Sequence, residues 1–385
     1  MLGGRAPAAL ELVRRFAAQG WRVHVADSGP AQLGGWSRHV ASATRLASPR
    51  QAPADFLQGL QALLQRHSIS VVLPTCEEIF HLARARDALP ATLRVLAMDL
   101  PTLRRLHSKW QVLALARDRG VPAPDTARVD TLAQARHWAA GRGVVLKPEY
   151  SRFGTQLRCH PGGIPDDAAE LPAGAGPWLA QQWCSGREVC SYAIADAGQV
   201  RLHVAYRPRY RLATAASYYF DPCAEDSALA RQLRAHCVQL AAATGFSAQI
   251  GFDWIEDAHG QPWLLECNPR ATSGVHLFAA EEPVVQALAG GWPEPAPALA
   301  GSARLPAMLP PLMLARAAPQ ALAQGQGRRW WRDLRRARDV LAIPGDRWPL
   351  AGALADLVQM AAAALGNGQG LRGQSTGDIE WNSED

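Results

Sequence analysis

The run GFDWIEDAHGQPWLLECNPR, residues 251–270, brings two acids, an amide and an arginine within twenty positions. They are Asp253, Glu266, Asn268 and Arg270. Carboxylate and amide oxygens are hard ligands that Mg²⁺ accepts when substrate phosphates complete its coordination shell. A guanidinium beside them adds a planar cation suited to phosphate oxygens. The residue types therefore indicate a magnesium and phosphate site. They fit equally a hairpin whose acids are solvated or paired with arginines.

The same run has the pattern of a β-hairpin. An apolar and aromatic segment leads into the turn sequence DAHG, and a second extended apolar segment follows. Because strand side chains alternate between faces, the pattern predicts that Leu264, Glu266 and Asn268 share one face. Asp253 is then available from the partner strand.

Lysine usage provides a second signal. Of the 40 basic residues only two are lysines, Lys109 and Lys147. Arginine and lysine are not interchangeable where a compact charge must reach a phosphate, so these two positions are candidates for phosphate contact. Chance placement is the alternative interpretation.

Composition limits the class of protein. A chain of 385 residues with 48% hydrophobic and 19% charged residues is typical of a globular protein with two or three domains. The seven cysteines show no CxxC spacing, which argues against a disulfide framework and a zinc site. The start of the chain lacks the apolar segment of a signal peptide, and no apolar run is long enough to cross a membrane. These features predict a cytoplasmic protein.

The net charge of +6 is spread along the chain, with one cluster at 328–338. That cluster, RRWWRDLRRAR, is typical of a solvated amphipathic helix with buried tryptophans rather than of a nucleic-acid reader.

The first hundred residues alternate between helix and strand patterns. This order predicts a parallel sheet that binds ligands near the carboxyl ends of its strands, where the sequence PTCEE follows one strand at 74–78. Only Met1 and Leu2 precede the first turn, so the strand expected there is almost absent. Farther along, we expect one helix from Thr102 to Gly120 with Lys109 inside it.

Two extended segments are expected between Lys147 and the hairpin. One strand is predicted over 178–194 and another over 200–212. The second contains Arg207, Arg209 and Arg211, which alternation would place on one face as candidate contacts for a substrate carboxylate. At least one of these arginines is expected to be solvated rather than to contact the substrate.

The order of these motifs resembles that of an ATP-grasp enzyme. It is similar to the ATP-binding modules of carbamoyl phosphate synthetase, biotin carboxylase and the carboxylate-amine ligases, over roughly residues 1–290. The resemblance implies an α/β fold of the α+β grasp type, with a Rossmann-like N-terminal domain, a two-lobed ATP-grasp domain and a C-terminal extension. The expected boundaries are 1–107, 108–182 and 183–290 for the N-terminal domain and the two lobes, and 291–385 for a linker and the extension.

The resemblance also implies a set of nucleotide contacts. Lys109, followed by VPAPDT, resembles the first ATP-contacting lysine, and Lys147 with its proline resembles the second. Arg152 lies in the segment that would cover the phosphates. The hinge strand, whose backbone would meet adenine, corresponds to Gln182, Trp183 and Cys184, and Glu188 has the spacing of the acid that contacts ribose.

The same resemblance assigns the hairpin residues. Asp253, Glu266 and Asn268 correspond to the metal ligands, and Arg270 corresponds to the arginine of the N-P-R sequence. Lys147 and Arg270 would oppose the charge that moves during phosphoryl transfer.

An ATP-dependent ligase is the activity implied by this resemblance. It would convert a carboxylate into an acylphosphate, release ADP, and join the acyl group to an amine or similar nucleophile. The expected cofactors are ATP and Mg²⁺, with Mn²⁺ as a substitute. The expected partners are small-molecule carboxylate and amine substrates, without nucleic acid or membrane, and a homodimer is a possible assembly.

Two alternatives remain open at this point. One is a carbamoyl-phosphate or carboxylase type of enzyme that uses bicarbonate. The other is a regulatory protein that binds a nucleotide at a degenerate site.

Overall fold

The computed structural model describes residues 1–29, 32–151, 156–172, 176–212, 216–292, 304–367 and 377–382. No helix in these ranges is long and apolar enough to cross a membrane.

Parallel strand pairs build the sheet of the N-terminal region. Strand β1 (Val23–Asp27) pairs with β2 (Val40–Arg45), and β3 (Val71–Val72) pairs with β4 (Arg94–Val95). Leu2 joins the two pairs. It makes a parallel bridge to Ala26, and its N–H donates to the carbonyl of Leu73 at 2.9 Å. Leu2 therefore takes the central place where the sequence left almost no strand.

Three helices pack on this parallel sheet, α1 (Pro7–Ala18), α2 (Pro53–Arg66) and α3 (Glu78–Arg84). A fourth helix, α4 (Leu100–His107), packs against α3. Apolar residues at helical spacing on α1 and α2, such as Leu12 and Leu60, are fully buried.

A four-stranded antiparallel sheet forms the middle of the chain. Its spatial order is β5 (Thr126–Val129), β8 (Trp178–Gln182), β6 (Val144–Pro148) and β7 (Arg158–His160). Helices α5 (Lys109–Asp118) and α6 (Leu132–Ala139) accompany it. The sheet places Lys147 on a central strand, where it is paired with Leu179 of β8.

The largest sheet has seven strands. In spatial order they are β13 (Pro262–Asn268), β12 (Ala248–Glu256), β9 (Arg187–Asp196), β10 (Gln199–Arg211), β11 (Ser217–Pro222), β14 (Ala307–Met308) and β15 (Arg338–Asp339). All neighbours are antiparallel except the β14 and β15 pair. The remaining helices are α7 (Ala228–Thr244), α8 (Val284–Ala289), α9 (Pro310–Leu312), α10 (Ala318–Ala323), α11 (Gly327–Arg336) and α12 (Trp348–Asn367), with a π-helical turn at Met313–Ala317.

Each face of the large sheet packs into its own core. Phe252 and Trp254 pack with Leu233 of α7 on one face. Tyr192 and Val204 lie on the other face, in a core shared with α1 and α8. The site side chain Asp253 stands between Phe252 and Trp254 in sequence, so alternation turns it away from α7.

Two expected elements are divided in the structure. The predicted helix over 102–120 is two helices, because Ser108 has extended backbone and begins α5 as its N-cap, with its hydroxyl accepting from the Gln111 N–H at 3.0 Å. Lys109 is therefore the first residue of α5 rather than an interior one. The predicted strand over 178–194 is also two strands, β8 and β9, which belong to different sheets.

Candidate functional site

The hairpin of β12 and β13 holds the two acids opposite each other. Asp253 is directly paired with Glu266, and Gly251 is paired with Asn268. The connecting loop is organised by Asp257, whose carboxylate accepts the N–H groups of His259 and Gln261 at 2.8 and 2.9 Å. This local network fixes the register that brings the two acids together.

A β-bulge interrupts the alternation expected on β13. The partner of Asp253 is Glu266, but the partner of Trp254 is Leu264, so Leu265 is an extra residue on this strand. As a result Leu264 packs with Cys267 in the core beside α7. The prediction that Leu264 shares a face with Glu266 and Asn268 is therefore wrong.

The bulge also gives the second lysine a partner. The ammonium of Lys147, which is 5% exposed, donates to the carbonyl of Leu265 at 3.3 Å. Burial lowers the pKa of Lys147 to about 8, with the charge of Lys109 acting in the same direction and Glu266 opposing it. Lys147 is thus a buried cation directed at the hairpin of β12 and β13.

Lys109 approaches the hairpin from α5. Its ammonium lies 3.5 Å from Glu266 Oε2 and donates to the carbonyl and hydroxyl of Ser151 at 3.0 and 3.2 Å. Lys109 is 3% exposed, so its charge is compensated by fixed oxygens rather than by water. Glu266 is therefore approached by lysines from two different elements.

A chain of polar contacts links Asp253 to the N-terminal region. The amide nitrogen of Asn268 donates to Asp253 Oδ2 at 3.1 Å, and its amide oxygen accepts from Arg270 Nη2 at 3.0 Å. Arg270 lies 4.0 Å from the fully buried carboxylate of Glu77, which follows β3. Arg270 is consequently held between the hairpin and the carboxyl edge of the parallel sheet.

The pKa values of Asp253 and Glu266 are shifted in opposite directions. Burial, and then the charge of Glu266, raise the pKa of Asp253. Burial also acts to raise the pKa of Glu266, but Lys109 and Lys147 outweigh it and the pKa is lowered. Two facing carboxylates with one pushed toward its neutral form are an arrangement that a divalent cation would relieve.

The donor set fits a magnesium ion that is shared with phosphate. Two carboxylates and the oxygen of Asn268 are hard ligands, and Mg²⁺ is usually held by one or two carboxylates together with substrate oxygens. No cluster of three His, Cys, Asp or Glu side chains that could bind a metal by itself occurs among the described residues. The hairpin therefore offers a partial coordination shell.

The predicted hinge connects the two antiparallel sheets. The N–H of Gln182 donates to the carbonyl of Asp125 at 2.8 Å, and that of Trp183 donates to Gly143 at 3.0 Å. Cys184 follows, and burial raises its pKa while the charge of Lys147 lowers it. The hinge thus lies close enough to Lys147 for an electrostatic effect. Arg152 lies outside the described residues.

The three arginines of β10 do not share a face. Arg207 pairs with Glu256 at 2.6 Å, on the side of the sheet that faces α7, and Arg209 pairs with Asp221 at 3.0 Å. Arg211 instead forms an ion pair with Glu188.

The cause of this division is Tyr210, whose φ of 51° breaks the alternation. Burial lowers the pKa of Arg211, and the charge of Asp253 acts in the opposite direction. The expectation of a single arginine face is wrong, and Arg211 is the member of the three that lies near Asp253.

Sequence patterns did not indicate Glu149, which helps to hold the start of α5 at Lys109. Glu149 is 1% exposed and accepts a bidentate pair from Arg128 at 2.9 Å, and it also accepts from the Ser108 hydroxyl. Its backbone carbonyl accepts the N–H of Lys109 at 3.3 Å. The available signal was its position two residues after Lys147, which alternation places on the same side of the chain.

No family model matches the sequence, and no curated protein sequence matches it. Solved structures do match it in fold. The biotin carboxylase domain dimer of Hydrogenobacter thermophilus 2-oxoglutarate carboxylase, in complex with MgADP, ADP and bicarbonate, is 13% identical with a TM-score of 0.59, and the match covers 75% of this chain and 69% of that one. The L-amino acid ligase from Bacillus licheniformis is 14% identical with a TM-score of 0.56, covering 71% and 67%. The chain has the ATP-grasp fold.

A longer enzyme has the same fold over part of its length. Rhizobium etli pyruvate carboxylase is 18% identical with a TM-score of 0.55, and the match covers 74% of this chain but 26% of that one. The chain thus spans about a quarter of this larger protein. Lys147 and the hairpin of β12 and β13 come from the two antiparallel sheets that the predicted hinge joins, whereas Lys109 comes from α5.

Proposed function

We propose that this protein is an ATP-dependent ligase. A substrate carboxylate attacks the γ-phosphate of ATP to give an acylphosphate and ADP, and an amine or similar nucleophile then displaces phosphate. The proposal is supported by one arrangement in particular. Two buried lysines, from α5 and from β6, lie beside the paired acids of the β12 and β13 hairpin.

The residues of the chain serve mainly for binding and charge compensation. Lys109 and Lys147 would hold nucleotide phosphates, and because both ammonium groups are already fixed on carbonyl oxygens, little reorganisation is needed during transfer. Arg270 is fixed by Asn268 and would oppose charge on the transferred group. Catalysis by positioning and electrostatics requires no protein nucleophile.

Asp253, Glu266 and Asn268 would hold Mg²⁺ or Mn²⁺, which supplies charge neutralisation at the phosphates when bound. Asn268 would also keep Asp253 oriented, since its amide nitrogen already donates to that carboxylate. The hinge residues Gln182, Trp183 and Cys184 remain the proposed adenine contacts.

Near the hairpin of β12 and β13, Glu188 and Arg211 form an ion pair that a ligand can replace. Their side chains are 47% and 32% exposed, so solvent screens the pair and a ligand can compete for either member. We propose that Glu188 turns to the ribose hydroxyls while Arg211 contacts the substrate carboxylate. Arg207 is engaged by Glu256 on the opposite face and is not part of this proposal.

A second candidate is a carboxylation in which bicarbonate replaces the organic carboxylate. It is favoured by the similarity to the 2-oxoglutarate carboxylase domain, whose structure holds bicarbonate together with MgADP. The two candidates differ in one measurement. ADP release that requires bicarbonate supports the carboxylase, whereas release that depends on an organic acid and an amine supports the ligase.

Thermal unfolding with and without MgATP tests the nucleotide site. A ligand that binds only the folded chain at 100 times its dissociation constant adds about 2.7 kcal/mol of stability. We expect Lys147→Ala to remove this gain and Arg119→Ala, which removes an exposed cation, to retain it. A wild-type chain without any shift at saturating MgATP would contradict the proposal, and a shift without ADP release under any substrate mixture would favour a regulatory protein.

A further inference from the structure

The C-terminal segment Gly377–Asn382 is packed against the N-terminal region. Ile379 and Trp381 are each 2% exposed, and the carbonyl of Asp378 accepts from the Ser48 hydroxyl at 2.7 Å. These contacts join parts of the chain that are more than three hundred residues apart. None of these contacts involves a residue that is proposed to bind the metal or the nucleotide.

Asp378 occupies a built carboxylate site. Arg5 Nη1 donates to Asp378 Oδ1 and Arg5 Nη2 donates to Oδ2, both at 2.7 Å, while the Ser28 hydroxyl donates to Oδ2 at 2.6 Å. Two parallel N–H donors match the geometry of a carboxylate. The guanidinium is itself fixed by Asp27, which accepts from the Arg5 backbone N–H at 2.8 Å and from Nε at 2.9 Å.

Trp381 fills an aromatic pocket beside the nucleotide site. Its ring is stacked on Phe80 at a centroid distance of 4.7 Å and meets Tyr150 edge-on at 5.6 Å. Its backbone N–H donates to Glu77 Oε2 at 3.2 Å, and Glu77 is the acid that lies 4.0 Å from Arg270. Tyr150 directly precedes Ser151, which holds Lys109. The segment therefore contacts the neighbours of both Arg270 and Lys109.

The position of the segment is one where a ligand is expected. Leu2, β1 and β3 are adjacent parallel elements; Asp27 is the last residue of β1, and Arg5 and Glu77 follow the carboxyl ends of Leu2 and β3. Leu2 lies between β1 and β3, so the chain order of the strands reverses beside it. Open parallel sheets bind ligands in the crevice outside such carboxyl ends.

We propose that Gly377–Asn382 is an autoinhibitory segment that occupies the carboxylate-binding crevice of this protein. Arg5 and Ser28 form the recognition site for the carboxylate of an acidic ligand that carries an aromatic group, and Asp378 and Trp381 imitate that ligand. This inference rests on the proposed ligase function, because it identifies the crevice as the entry site of the carboxylate substrate. Substrate and segment exclude each other.

A peptide with the sequence of the segment should compete with it for the crevice, and binding of this peptide can be measured. The probe is a fluorescently labelled GDIEWN peptide added to the full-length chain. The double variant Asp378→Asn/Trp381→Ala should bind it at least tenfold more tightly than the wild-type chain, whose crevice is open in a small fraction of molecules. Adding Arg5→Lys to the double variant should abolish this gain, since a lysine cannot form the two parallel donors.

Glu380→Gln is the matched control. It changes an acid of the same segment whose ion pair with Arg50 is 3.5 Å long and about 30% exposed on both sides, and it leaves Asp378 in place. Its affinity for the peptide should equal that of the wild-type chain. Equal affinity of the wild-type chain and the double variant, or no binding by either, would overturn the proposal.

Hydrogen exchange provides a second measurement on the unmodified chain. Saturating peptide should increase amide exchange within 377–382, because the segment is displaced from Glu77. Bound peptide without increased exchange would show binding elsewhere and would also overturn the proposal. If the peptide tests fail while MgATP still stabilises the chain, only the autoinhibitory segment is ruled out. If MgATP does not stabilise the chain, the ligase proposal is ruled out, and the peptide tests decide separately on the segment.

Discussion

The hairpin of β12 and β13 and the N-terminal crevice both hold acids next to fixed cations, but the pKa values of Asp253 and Asp378 are shifted in opposite directions. In the hairpin, burial and Glu266 raise the pKa of Asp253. In the crevice, burial acts to raise the pKa of Asp378, but the hydrogen bonds and charge of Arg5 outweigh it, and the pKa is lowered. The positive charges near Asp253 are therefore too weak to stabilise its ionised form, whereas Arg5 of the same chain stabilises the ionised form of Asp378.

Under the proposed function, this difference separates a proposed cation site from a site that a segment of the protein already fills. Two facing carboxylates repel each other in the protein alone and would favour the binding of a divalent cation between them. A bidentate pair between Arg5 and Asp378 stabilises the protein alone and opposes binding of another carboxylate. Substitution of one acid at a time tests this difference.

The largest effect is expected for Glu266→Gln. It removes the acid that faces Asp253 and that Lys109 contacts, so ADP release should fall at least a hundredfold, on the order of the loss of a preorganised electrostatic group. The midpoint of thermal unfolding without ligand should fall slightly, because the lowered pKa of Glu266 means that Lys109 and Lys147 stabilise its charge by more than Asp253 opposes it. Steady-state ADP release and a thermal scan measure the two quantities.

Glu256→Gln is the matched control for that variant. Glu256 is 7% exposed on the neighbouring strand and pairs with Arg207 and Arg187 on the opposite face. Its loss should cost about 1–3 kcal/mol of unfolding free energy and leave ADP release unchanged. Full activity of Glu266→Gln, or a large loss of activity in Glu256→Gln, would contradict the assignment of the hairpin face.

A smaller effect is expected for Glu149→Gln. The bidentate pair with Arg128 would be lost, and the start of α5 that presents Lys109 would be less firmly held. We expect MgATP to bind about tenfold more weakly, equivalent to about 1.4 kcal/mol, as measured by isothermal titration calorimetry. Unchanged affinity would indicate that the capping of α5 by Ser108 is sufficient to position Lys109.

The smallest effects are opposite changes in stability. Asp253→Asn should raise the unfolding free energy at pH 7 by about 1 kcal/mol. A carboxyl whose pKa is raised by folding destabilises the folded state once the pH rises through that pKa, and the neutral amide removes this cost. Asp378→Asn should lower it by about 1 kcal/mol, because a carboxyl with a lowered pKa contributes stability above its ordinary value.

The pH dependence checks these signs. The gain from Asp253→Asn should shrink as pH falls toward 4, where the native acid is protonated and neutral. The loss from Asp378→Asn should persist at pH 4 and shrink only at lower pH, as Asp378 itself becomes protonated. Denaturant unfolding at pH 4 and pH 7 measures both, and changes of the same sign would contradict the comparison.

Local patterns in the sequence predicted the elements that carry the site. The turn sequence between two extended segments gave the hairpin, and the pairing of Asp253 with Glu266 confirms the expected proximity of the two acids. The alternation of helices and strands in the first hundred residues gave the parallel sheet. These predictions succeeded because hairpins and strand and helix alternation depend on residues close in sequence.

The errors arose where one residue changed a regular pattern. The bulge at Leu265 moved Leu264 into the core, the N-cap at Ser108 divided a helix, and the positive φ of Tyr210 turned Arg211 toward Glu188. A single residue outside the repeat shifts every side chain beyond it to the other face, and periodicity alone does not locate that residue.

The sequence by itself determined the chemical inventory of this protein: two lysines among many arginines, a pair of acids with an amide, and the order of motifs typical of an ATP-grasp enzyme. Tertiary structure decided which groups meet. Arg5 and Asp378 are 373 positions apart, and Lys147 and Leu265 are 118 positions apart. Such contacts depend on how sheets and termini pack in space, and no local spacing encodes that packing.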